Sequence, residues 1–93
     1  MEASHREKLI AIVASGNTDQ ARALCDALGV PFDLSGADLH GAVLRKSDFQ
    51  RANLEGASLM DAKVSGVYFP AELSADEIRL SLDHGTRLRY TQN

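Results

Sequence analysis

The sequence is short of most things that announce chemistry. It has one cysteine, Cys25, so an internal disulfide is excluded. It has no Trp, three Phe and two Tyr, so its core must be built mainly from aliphatic side chains. No apolar run is long enough for a membrane helix, and the N-terminus lacks a signal-peptide core; a soluble, cytoplasmic protein is the expectation. Basic residues are outnumbered, ten Lys and Arg against thirteen Asp and Glu, for a net charge of −3. A nucleic-acid footprint needs clustered Lys and Arg, so nucleic acid is not an expected partner. His5, His40 and His84 fall in three separate segments at no metal-ligand spacing. There is no GxxxxGK[ST] phosphate loop, and no nucleophile stands at motif spacing from a base. No catalytic residue, cofactor or metal ligand is therefore nominated, and the chain is expected not to be an enzyme.

What is present is a repeat of five. From Phe32 to Ala71 the units are FDLSG, ADLHG, AVLRK, SDFQR, ANLEG, ASLMD, AKVSG and VYFPA. The third place is large and apolar throughout: Leu34, Leu39, Leu44, Phe49, Leu54, Leu59, Val64 and Phe69. The first place is small in all units but those opened by Phe32 and Val67. Asp33, Asp38, Asp48 and Asn53 take the second place, and Gly36, Gly41, Gly56 and Gly66 the fifth. Five fits neither a helix, whose face returns every 3.6 residues, nor a strand, which alternates every two. The pattern makes sense if the chain turns a corner in every unit, so that each large residue points inward again.

The stretch resembles the pentapeptide-repeat family, whose consensus is close to A-(D/N)-L-x-x; ADLHG and ANLEG match it outright. The resemblance implies a right-handed, four-sided β-helix with one unit per side, and eight units imply two coils. Leu34 would then stack on Leu54, Leu39 on Leu59, Leu44 on Val64 and Phe49 on Phe69. A small first residue lets its large neighbour reach close packing in a narrow interior. The fold class expected is a mainly β solenoid with α caps. It has three parts in one compact domain: an N-terminal helical hairpin at 1–31, the repeat at 32–71, and a C-terminal helix and tail at 72–93.

The flanks read as covers for the open ends of the coil. Ser4-His-Arg-Glu7 has capping-box spacing and predicts a helix over Ser4–Ala14, stopped by Gly16. Asn17-Thr18-Asp19-Gln20 predicts a second helix, with Gly29 past its end and Pro31 beyond. Ile10, Val13, Leu24 and Leu28 are expected to pack on the first coil, and Cys25 to be a buried, inert thiol. Ser74-Ala-Asp-Glu77 predicts a helix over Ala75–His84, with Gly85 as its stop. Ile78 and Leu82 share a face, whereas Leu80 points about 200° from Ile78.

The exposed Leu80, and the alternation Arg87, Leu88, Arg89, Tyr90 after it, are the candidate contacts with a partner or a second copy. In the winding that the resemblance implies, Arg45, Lys46 and Arg51 would gather at one corner of the coil. The leading reading is a non-catalytic protein-interaction or scaffold module that binds another protein. The resemblance adds a homodimer through the C-terminal segment. It also adds an alternative, a DNA-mimicking modulator of a type II topoisomerase; those family members are long acidic rods, whereas this repeat sums to −1, from five acids and four bases. A regulatory subunit of an enzyme, a special case of the interaction module, is the other alternative.

Overall fold

The computed structural model describes residues 2–90, with side chains from Arg6 onward. Three helices flank the repeat: α1 (Glu2–Ala14), α2 (Thr18–Leu28) and α3 (Ala75–His84). Between α2 and α3 the chain winds through two stacked layers, residues 32–51 above 52–71. The layers meet at isolated parallel bridges, Asp33 with Asn53, Asp38 with Ser58, Val43 with Lys63 and Asp48 with Tyr68. Each bridge joins corresponding residues four units apart, so the register that the repeat implies is present.

The expected fold class is nevertheless corrected. Among the described residues there is no β-strand and no sheet, only single bridges, so the chain is not a β solenoid. The reason lies in the unit itself. Each one closes a tight turn, as when Ala37 N–H donates to Leu34 O at 3.0 Å and Ala42 N–H to Leu39 O at 3.0 Å. In six of the eight units the fifth residue then enters the left-handed region, with φ of 69° at Gly36 and 68° at Gly41; Arg51 and Ala71 do not. Lys46 (φ 64°) and Asp61 (φ 60°) adopt the same conformation despite their side chains, which shows that the corner imposes it. Too little extended backbone remains on each side for two successive bridges, and so no ladder forms.

The interior follows the repeat closely. Leu34, Leu39, Leu44, Phe49, Leu54 and Leu59 are buried, with Ala37, Ala42, Ala52 and Ala57 beside them. Each fully buried Leu stabilises by about 1.5–3 kcal/mol relative to exposure. Phe32, Phe49 and Phe69 form a column, with ring centroids 6.4 Å and 6.5 Å apart. The lower end is less closed, since Val64, Val67 and Phe69 are only half-buried.

The α1–α2 hairpin covers the upper layer. Leu9, Val13, Ala21 and Cys25 are buried there. Val43 N–H donates to Ala14 O, and the Arg6 guanidinium donates to the carbonyls of Asp33 and Ser35. Thr18 Oγ1 donates to Ser47 Oγ at 2.7 Å, inside the protein. Two expectations for the hairpin change. Helix α1 starts at Glu2, two residues before the expected Ser4, whose side chain, and with it the expected capping box, lies outside the described ones. Leu28 is 53% exposed, and Leu24 only half-buried. Helix α2 approaches the coil on the narrow stripe Thr18, Ala21 and Cys25, and Leu28 is on its last turn. Asn17 is the N-cap by position, but its side chain donates to Ser15 Oγ and leaves the helix uncapped by a side chain.

Helix α3 has the predicted bounds and cap: Ser74 Oγ accepts from Glu77 N–H at 3.2 Å, and Gly85 ends the helix at φ 73°. Ser81 is fully buried, and its Oγ accepts from Leu59 N–H at 2.8 Å. Ser81→Ala would leave that buried donor without an acceptor and is expected to cost about 1–3 kcal/mol. Urea unfolding followed by circular dichroism checks this; an unchanged midpoint would contradict it.

Candidate functional site

The C-terminal residues singled out above divide into two groups. Leu80, on the outer face of α3, is 42% exposed. With Glu77, Thr86, Arg87 and Arg89 it lines a groove of about 330 Å³ between α3 and the segment that follows. The groove is held in shape by Glu77, whose carboxylate accepts from Arg89 N–H at 3.1 Å and Arg89 Nη2 at 3.2 Å. In a capping box this Glu reaches back to its own helix; here it ties α3 to the tail instead. Arg87 Nη1 donates to Gly56 O at 2.8 Å, anchoring the other wall. Both arginines are exposed and keep further donors free for a ligand.

Leu88 and Tyr90 face the other way. Leu88 is 1% exposed and belongs to the core of its own chain, which corrects its assignment as an external contact. Its N–H donates to Ala57 O at 2.8 Å, and its O accepts from Gly56 N–H at 2.7 Å. Tyr90 Oη accepts from Leu54 N–H at 2.8 Å and lies 3.4 Å from Ala52 O, to which it donates. Burial pushes the Tyr90 phenol above its ordinary pKa, against the opposing effect of the Leu54 N–H. The alternation Arg-Leu-Arg-Tyr is thus that of an extended segment with one face on its own coil and one face out. Residues 91–93, the end of the expected tail, lie outside the described residues.

The acidic second positions have a local role. Asp33, Asp38, Asp48 and Asn53 each accept from the backbone N–H two residues on, as Asp33 Oδ1 does from Ser35 at 2.9 Å. This Asx turn helps to set each corner. The hydrogen bonds from Ser35 hold the Asp33 carboxyl below the usual range, with Arg6 adding to the effect.

Arg45, Lys46 and Arg51, expected at one corner, do not line one pocket together. Arg45 and Lys46 line a pocket of about 320 Å³ with the first turn of α2. Arg51 lines a different one, with Arg22, Phe32 and Asn53. One pairing was not legible in the sequence: His40 Nε2 stands 3.5 Å from Asp61 Oδ2, brought there by the stacking of layers. Both are largely exposed, and such a pair contributes little.

Residues 33–69 match the family model for pentapeptide repeats, in eight copies. Residues 33–69 belong to the pentapeptide-repeat family. No curated protein and no solved structure is significantly similar to the chain. The pentapeptide repeat therefore accounts for the two-layer body, while the groove is made by residues outside the matched segment. Among the described residues, no group of three or more His, Cys, Asp or Glu side chains is placed to hold a metal. Nor is any helix long and apolar enough to cross a membrane.

Proposed function

We propose that this pentapeptide-repeat chain is a non-catalytic protein-interaction module whose C-terminal groove receives a partner protein. The observation that carries the reading is the convergence of Leu80, Arg87 and Arg89 on one groove, held open by Glu77. An exposed apolar side chain flanked by two arginines offers burial and charge-assisted hydrogen bonds together. Pentapeptide repeats commonly serve as interaction modules, which supports the same reading. A second copy of the chain at this groove is the other occupant to be tested.

Leu80→Asp and the pair Arg87→Ala/Arg89→Ala are expected to abolish capture of a reproducible partner by tagged full chain, without lowering stability by more than about 0.5–1 kcal/mol. Mass spectrometry of captured proteins and sedimentation of the chain alone are the measurements. A partner retained at full yield by both variants would place binding elsewhere.

A further inference from the structure

The lower layer is closed on only half of its edge. Along its first two units the chain covers its own backbone. Leu54, Gly56, Leu59 and Asp61 N–H donate to Tyr90 Oη, Leu88 O, Ser81 Oγ and Leu82 O. Ala52 O and Ala57 O accept from Tyr90 Oη and Leu88 N–H. Along the last two units this cover stops. Among the described residues, the N–H groups of Val64, Gly66 and Phe69 have no acceptor, and the carbonyls of Ala62 and Val67 no donor. Their counterparts one layer above are all paired: Leu44, Lys46 and Phe49 N–H donate to Lys63, Ser65 and Tyr68 O, and Ala42 and Ser47 O accept from Lys63 and Tyr68 N–H. The open edge thus repeats a bonding pattern that the protein itself completes elsewhere. Half-buried Val64, Val67 and Phe69 sit beside it, with apolar surface left to cover. An edge of unpaired donors and acceptors is a template for an extended segment.

The charge beside this edge selects the segment. Lys63 is on it, and Arg45 and Lys46 stand one layer above, all three exposed. Among the described residues none of the three is in an ion pair. The Lys46 Cγ lies 3.4 Å from where a Cβ on Gly66 would be, so its side chain runs against the edge. Asp19, which lines a pocket with Arg45 and Lys46, is paired with Arg22 instead. A second copy stacked edge to edge would bring two such basic sets together, and like charges directly opposite are destabilising.

We propose that the edge from Ala62 to Phe69 docks an extended, acidic segment of a partner protein, whose backbone pairs with Val64, Gly66 and Phe69 and whose carboxylates meet Lys63 and Lys46. The inference rests on the interaction-module reading but uses a surface apart from the C-terminal groove.

The test is a titration of isotope-labelled full chain with a blocked peptide alternating Glu and Val, followed by amide NMR and hydrogen exchange. The amides of Val64, Gly66 and Phe69 are expected to exchange fast in the free chain, then to shift and become protected as peptide is added. Lys63→Glu, at an exposed position, is expected to weaken binding about ten-fold or more with an otherwise unchanged spectrum. A peptide alternating Lys and Val is expected not to bind; equal binding would overturn the acidic character of the partner. Shifts confined to Leu80, Arg87 and Arg89 would overturn this inference and leave the groove reading standing. No shift at the three amides, or protection already present in the free chain and lost on dilution, would likewise overturn it, the latter in favour of a second copy.

Discussion

Phe49→Ala is expected to lower stability by about 3–5 kcal/mol, a large part of the ~5–15 kcal/mol typical of a domain. Phe49 is fully buried and stands between Phe32 and Phe69, at 6.4 Å and 6.5 Å. Its loss would open a cavity where the upper layer meets the lower one. The layers could not close on it, because Phe49 N–H to Tyr68 O at 2.7 Å and the neighbouring bonds fix their spacing. Urea unfolding by far-ultraviolet circular dichroism should show the loss in the midpoint. Val43→Ala, at a position 44% exposed, is the control and should change stability by no more than about 0.5 kcal/mol. A loss below about 1 kcal/mol for Phe49→Ala would mean that the aromatic column does not hold the layers together.

Leu88→Ala is expected to cost about 2–5 kcal/mol, and to do so unevenly. Leu88 is the apolar anchor of the segment after α3, and its backbone closes the edge at Gly56 and Ala57. Removing the side chain should free the segment before it unfolds the layers. Amide exchange at Gly56, which donates to Leu88 O, should therefore rise. Exchange at Gly36, which donates to Glu55 O between the layers, should change less. Equal acceleration at both amides would show that the C-terminal cover and the two layers open as one unit.

These outcomes separate what is local from what is assembled. The inward residues were legible because a five-residue period admits few windings, and Leu34 to Leu59 are buried as the period demands. The α3 cap was legible too, since Ser74 and Gly85 act within one turn of the backbone. The start of α1 was less legible, since the helix begins at Glu2 rather than at Ser4. The strands of the expected solenoid were not realised. Tight turns and left-handed corners leave single bridges, a limit that residue types alone do not display.

The sequence by itself determined the five-residue period, the inward and outward positions, the three helices and the twenty-residue register, because each depends on short-range spacing. Only the tertiary structure decided that Leu88 and Tyr90 turn inward while Leu80, Arg87 and Arg89 line a groove. It alone decided that half of the lower edge is covered and half is open. Alternation marks two faces of an extended segment; which face meets the protein depends on where α3 delivers it. That in turn rests on contacts such as Ser81 with Leu59, which join residues far apart in the chain.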